Sequence, residues 1–194
     1  MIKKMERTYI QDKKFEKEDF TTIEFAIADY ENCVFTNCGF STTDLSQRVF
    51  LECEFTSCNL STANLTNTGL KNVKFKGCKL LGLQFENCDP FLFEVDFEDC
   101  FLKLSSFYKL KLKKTRFKNS DLSGVDFTEA DLTNSLFDNC DLVGARFERT
   151  ILEKADLRTS RNYSIDPEIN KIKKAKFSIH GIAGLLNKYD IEIE

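Results

Sequence analysis

Residues 125–157 read VDFTEADLTNSLFDNCDLVGARFERTILEKADL, and within them Phe127, Leu132, Phe137, Leu142, Phe147, Leu152 and Leu157 occupy every fifth position. A strand alternates faces, so side chains five apart point to opposite sides of it. A straight helix advances well past one turn in five residues, so the large residues would wander around its axis. Neither element buries the whole set. The chain must therefore bend once per pentapeptide, each pentapeptide forming one side of a coil. From Phe97 to Leu152 Phe and Leu alternate strictly, so four sides per turn stack Phe on Phe, whereas three would lay Phe on Leu. The stretch predicts a four-sided coil of about 20 residues per turn.

The same beat spreads outward in both directions. It starts at Phe15 and runs unbroken through Tyr30, Phe50 and Leu70 to Phe85. After one seven-residue step it resumes at Leu92 and Phe97 and continues to Leu157. The residue two before each large one should also point inward, and it is usually small, as at Val95, Ser105, Ser120, Ala130, Ser135 and Ala155. Lys13, Glu18 and Arg48 break that rule, so a frayed first coil and an opened or solvated wall near Arg48 are expected. Outer positions are mostly Asp, Asn, Ser, Thr, Lys, Glu and Gly, as a wall with frequent corners requires. Interior space is tight and must interdigitate at crystal-like density.

Units such as CNLST at Cys58, ANLTN at Ala63, SDLSG at Ser120, ADLTN at Ala130 and ADLRT at Ala155 resemble the pentapeptide repeat family, whose motif is A(D/N)LxX. The resemblance covers nearly the whole chain. It implies an all-β fold, a right-handed quadrilateral parallel β-helix, here of about eight coils stacked at the strand spacing of ~4.8 Å. The expected organisation is a lead-in over 1–14, a β-helix over 15–157, and a last irregular coil with a capping helix over 158–194. The seven-residue step, with Pro90 in it, divides the β-helix into subdomains 15–89 and 92–157.

Length, charge and cysteine usage narrow the function. The 194 residues carry a net charge of −3, with 28 Lys and Arg against 31 Asp and Glu. No apolar run follows the charged start, and no stretch approaches the ~18 apolar residues of a membrane helix, so a cytoplasmic location is expected. Eight cysteines fall on inward small-residue positions, five of them (Cys38, Cys58, Cys78, Cys100, Cys140) on one side of the coil. A straight ladder of thiols does not surround a metal tetrahedrally, and no CxxC pair exists. Small buried hydrophobes are the expectation, with no metal and no cofactor. His180 is the only histidine and has no nucleophile arrangement beside it. No phosphate-binding glycine loop is present, and no catalytic residue is assigned; the chain reads as a non-enzyme.

Two features carry functional information. Residues 119–145 hold Asp121, Asp126, Glu129, Asp131, Asp138 and Asp141 and no Lys or Arg. Asp121 and Asp141, 20 apart, should sit one above the other. Six charges over ~1.35 coils is about one per ~1 Å of rod, against one per ~1.7 Å of duplex DNA. Such a belt attracts basic partner surfaces. A solvated wall with Asp chosen for turn chemistry is the competing reading. The basic stretch Lys109, Lys111, Lys113, Lys114, Arg116, Lys118 precedes the belt, but its dispersal over several faces argues against direct nucleic-acid binding. Phe91 and Phe93 form an apolar patch at outward positions, sharing a side with Val49 and Leu51, unless the extra residues tuck one Phe inside.

The second feature is the tail. Ile172 and Phe177 return to the beat, Ser178 is placed to cap a short helix, and Ile191 and Ile193 alternate as a final strand. Ile179, Ile182, Leu185, Leu186 and Tyr189 give the helix an apolar face, while Gly181 and Gly184 weaken it. This order resembles the C-terminal segment of the quinolone-resistance (Qnr-type) pentapeptide proteins. Carried over, the resemblance implies a homodimer with Ile182, Leu185, Leu186, Ile191 and Ile193 at a two-fold interface. It also implies a DNA-mimicking rod that engages a type II topoisomerase such as gyrase and protects it from quinolones. A generic interaction scaffold with some other protein partner is the alternative.

Overall fold

The computed structural model describes residues 7–192. The chain is a parallel β-solenoid of about seven turns. Its first sheet stacks Thr8–Gln11, Ala28–Glu31, Val49–Leu51 and Gly69–Lys71. The second stacks seven strands: Lys14–Glu16, Val34–Thr36, Glu54–Thr56, Val73–Lys76, Val95–Glu98, Arg116–Lys118 and Leu136–Asp138. All pairings are parallel, with Phe15 over Phe35 over Phe55 over Phe75 in 20-residue steps. The ladder begins at Thr8, inside the expected lead-in, with Ile10 paired to Tyr30. Residues 1–6 of that lead-in lie outside the described residues.

The axis is filled as the beat demands. Phe97, Phe117 and Phe137 are fully buried and stacked, with ring centroids 5.3 and 4.9 Å apart. Phe107 and Phe127 stack on another side (5.5 Å), and Phe117 meets Phe127 edge-on across the axis at 5.8 Å. Two stacks facing each other at near-perpendicular ring planes are what a four-sided coil with Phe on alternate sides requires. Each buried Phe contributes on the order of 1.5–3 kcal/mol. Corners fall two residues after most axial residues, in the left-handed region, as at Asn119 (φ 50°), Asn139 (φ 51°) and Gly124 (φ 65°). Asn and Gly tolerate that conformation, which accounts for their frequency on the wall.

The inward small position has a chemical role beyond size. Thr68 donates to the Leu45 carbonyl (2.8 Å), Cys53 to Tyr30 (3.4 Å), Cys140 to Phe117 (3.4 Å) and Ser160 to Phe137 (2.8 Å), each 23 residues back. Each hydroxyl or thiol thereby satisfies a buried carbonyl of the coil below. All eight cysteines are buried and unpaired. Burial pushes the Cys53 thiol up to about 12 and Cys140 to about 11. Arg48 corrects the expectation of an opened wall. It is buried, its guanidinium donating to the carbonyls of Phe25 and Ser46 (3.0 Å to the latter) and lying 5.3 Å over the Phe25 ring. Lys13 and Glu18 are exposed, but the first coil is not frayed: its strands pair in register with the second, and the carbonyls of Lys13 and Glu18 accept from Val34 and Gly39 (2.9 Å each).

The longer side of the coil is displaced from its expected place. Asp89 bridges Gly69 and Phe97 pairs with Phe75, so Pro90 stands in register with the axial Leu70, although its own ring is exposed, and the seven-residue step runs from Pro90 to Phe97. Leu92 therefore points outward instead of continuing the beat, at 65% exposure and φ 58°. Phe93 packs against the core, edge-on to Phe85 at 6.5 Å, while Phe91 stays outside. The extra residues tuck one Phe inward.

Candidate partner-binding surfaces

Five of the six acidic residues of the 119–145 belt sit beside an axial Phe or Leu, Glu129 occupies a corner (φ 57°), and the coil carries them around all four sides. Asp121 and Asp141 share a column and are joined by a parallel bridge. Asp126 lies one side on, bridged to Arg146, and Asp131 two sides on, bridged to Lys111 and Ile151. Asp138 ends the strand Leu136–Asp138 on the remaining side. The belt rings the rod; only the Asp121–Asp141 pair stacks.

Four of the six carboxylates are met by cations from neighbouring coils. Glu129 lies between Lys109 (3.6 Å) and Arg149 (2.9 Å), Asp126 faces Arg146 (3.6 Å), Asp131 faces Lys113 (3.2 Å), and Asp141 faces Arg161 (3.1 Å). The Arg149 hydrogen bond holds Glu129 below the usual carboxylate range, and the Asn162 amide with Arg161 does so for Asp141. At Asp131 partial burial opposes the shift, but Thr133 and Lys113 outweigh it. Sequence reading missed these pairs, although the signal was present: Lys109, Glu129 and Arg149 are 20 apart, as are Asp126 and Arg146. Several carboxylates also serve turn chemistry, Asp121 accepting from the Ser123 N–H (2.9 Å) and Asp126 from Thr128 (2.8 Å). Asp121 and Asp138 have no ion pair among the described residues.

The tail docks on the last coil. Ser178 caps a 3-10 helix over Ile179–Leu185, its hydroxyl accepting from the Gly181 N–H (3.1 Å), and a second 3-10 turn covers Asn187–Tyr189. Gly181 and Gly184 are there for contact: a Cβ at these positions would lie 2.1 Å from the Tyr163 hydroxyl and 2.2 Å from the Tyr163 carbonyl. Ile165 donates to the Gly184 carbonyl (2.9 Å), fixing the segment to the wall. The expected interface residues divide. Leu185 packs against the chain's own core and Leu186 is half-buried, while Ile182 and Ile191 are exposed. Ile191 is not in a strand, and Ile193 lies outside the described residues. Ile179 is 83% exposed, and axial Ile172 and Phe177 are incompletely covered.

Among the described residues, no group of three or more His, Cys, Asp or Glu is placed to hold a metal ion, and no helix is long and apolar enough to cross a membrane. His180 lies exposed in the tail.

No curated protein sequence matches the chain. Among solved structures, a trypsin-treated form of QnrB1, a plasmid-mediated fluoroquinolone resistance protein, superposes with a TM-score of 0.69 at 17% identity, covering 98% of this chain and 95% of that one. HetL, a pentapeptide repeat protein involved in heterocyst differentiation regulation from the cyanobacterium Nostoc sp. strain PCC 7120, gives 0.49 at 15% identity over 89% and 86%. At 17% identity the likeness to QnrB1 is one of fold. The family model described as a pentapeptide repeat region matches residues 28–90 and 91–162. With that match and the four-sided solenoid in place, the chain belongs to the pentapeptide repeat family.

Proposed function

We propose that this chain is a non-enzymatic protein-interaction rod that engages a type II topoisomerase such as gyrase as a duplex DNA mimic and shields it from quinolones. The observation that carries the reading is the Asp121–Asp141 column. Two carboxylates sit in adjacent layers of one wall, and Asp121 has no ion pair among the described residues. Stacked like charges are destabilising in a sheet, and a sequence selected only to fold gains nothing from them. Asp141 is met by Arg161, and the ion pairs there and elsewhere in the belt narrow the unpaired mimicking charge to Asp121 and the neighbouring Asp138. The working form is a homodimer joined through the tail, supported by the exposed Ile179, Ile182 and Ile191 beside a partly open last coil. The protein acts in the cytoplasm, where its target works.

A supercoiling assay with purified gyrase, with and without a quinolone, tests the reading. Protection or inhibition at micromolar protein is expected, and replacing Asp121, Asp131 and Asp141 by Asn should weaken it and flatten its salt dependence. No effect of the wild type on gyrase would remove the topoisomerase role. The second reading, a scaffold for a different protein, is favoured by one observation, the exposure of Phe91 and Leu92 at 64% and 65%.

A further inference from the structure

Pro90 marks a gap in the wall. The N–H of most axial residues outside the strands donates to a carbonyl in the coil above: Leu80 to Phe101 (2.8 Å), Phe85 to Ser106 (2.9 Å), Leu112 to Asp131 (2.8 Å). Pro90 holds the backbone register of an axial residue and has no N–H. Lys111 stands where its acceptor should be. Among the described residues neither the carbonyl nor the N–H of Lys111 joins an inter-coil backbone hydrogen bond. The column of bridges runs from Gly69 to Asp89 and resumes from Lys111 to Asp131, skipping the layer between. An unpaired edge normally ends a sheet. Here one lies in mid-wall.

The gap is lined by Pro90, Leu92, Phe93 and Leu110, with Lys109 and Lys111 beside them. The Lys71 ammonium lies 5.0 Å over the exposed Phe91 ring, and Lys114 occupies the next corner of the coil above, at φ 65°. Lys109 is paired with Glu129; Lys71, Lys111 and Lys114 have no ion pair among the described residues. Two carboxylates belong to the same loop. Asp89 is engaged by the Phe91 N–H (3.0 Å), and Glu94 sits where the chain rejoins the ladder, its N–H on the Leu70 carbonyl (2.9 Å).

We propose that this gap is a docking groove for an extended, acidic segment of a partner protein that carries aliphatic side chains. Its backbone pairs with the N–H and carbonyl of Lys111, as in strand addition to a sheet edge. Its apolar side chains cover Leu92, Phe93 and Leu110, and its carboxylates meet Lys71, Lys111 and Lys114. A bilayer would need the apolar residues on a convex tip, whereas Leu92 and Phe93 line a recess. The groove is independent of the topoisomerase reading, because Asp121 lies two sides further on, across the rod.

Fluorescence anisotropy with a labelled decapeptide of alternating Glu and Leu tests this. Glu–Ser and Lys–Leu versions serve as controls, and phosphatidylserine vesicles as a separate arm. Saturable binding of the Glu–Leu peptide alone is expected, weakened about tenfold by Lys111→Glu. Pro90→Ala restores the missing N–H, closes the layer onto Lys111, abolishes binding and raises the unfolding midpoint. Undiminished binding to the Pro90→Ala protein would overturn the proposal. So would equal affinity for either control peptide, binding to vesicles alone, or no binding of the Glu–Leu peptide.

Discussion

The guanidinium of Arg48 donates to the carbonyl of Phe25, 23 residues earlier, the separation at which Cys53 reaches Tyr30 and Thr68 reaches Leu45. A long charged side chain thus performs the task of a thiol or a hydroxyl. The carbonyl below an inward position is buried, and something must donate to it. Arg48→Ala leaves that acceptor unpaired and a void beside the Phe25 ring, and should cost about 2–3 kcal/mol in urea unfolding. Arg48→Thr supplies the donor without the charge and should recover half of the loss or more. If both variants lose equally, the donor role is wrong.

The same logic separates two substitutions at Cys140. Its thiol donates to the Phe117 carbonyl at 3.4 Å, and Ser160 does the equivalent with a hydroxyl at 2.8 Å. Cys140→Ser should therefore be nearly neutral, while Cys140→Ala should cost about 1–2 kcal/mol. A purely hydrophobic role for the position predicts the reverse order.

Much of this was legible in the sequence, and the misses are instructive. The five-residue beat specified the coil, its four sides and the Phe-on-Phe stacks, because only one backbone path buries that pattern. The longer side was misplaced because Leu92 looked like an axial residue and Pro90 like a breaker. Cys88, an inward small residue two before Pro90, was the overlooked sign. Donation by the inward Cys, Ser and Thr went unseen because the acceptor is a backbone carbonyl, which sequence does not display. Charges were read by proximity along the chain, whereas a solenoid pairs residues 20 apart, as at Glu129 and Arg149.

Alkaline pH should destabilise the protein in a defined window. Burial raises Cys53 to about 12 and Cys140 to about 11, from an ordinary thiol value of 9.0. The unfolded chain releases these protons near pH 9 while the folded chain keeps them, so stability is fully present below that pH. It falls as pH rises toward 11–12, where the folded thiols ionise too. Urea midpoints under reducing conditions should hold from pH 7 to 9 and decline above, less steeply for Cys140→Ser. A decline no shallower in Cys140→Ser would refute the assignment.

Asp121 offers a way to tell stability from function. It is stacked on Asp141 and keeps its turn hydrogen bond from Ser123, which an Asn oxygen also accepts. Asp121→Asn relieves like-charge repulsion at no cost to the turn, so thermal stability should stay level or rise slightly, within about 0.5 kcal/mol. If gyrase binding weakens at the same time, the carboxylate is there for a partner. A clear loss of stability would instead mark it as a structural group.

The tail yields the last test, because docking and dimerisation use different residues. Gly184 presses on Tyr163, where a Cβ would meet the backbone carbonyl at 2.2 Å, so Gly184→Ala must lift the 3-10 segment from the wall. Overpacking of this kind costs about 1–3 kcal/mol, and protease should then cut between residues 177 and 190. Ile182 is exposed and lies outside the core of the rod. Ile182→Asp should leave the unfolding midpoint in place while light scattering changes from dimer to monomer. A wild-type protein that is already monomeric at tens of micromolar would show that the exposed isoleucines serve something other than a second copy. The Gly184→Ala result would still stand, since it depends only on the contact with Tyr163.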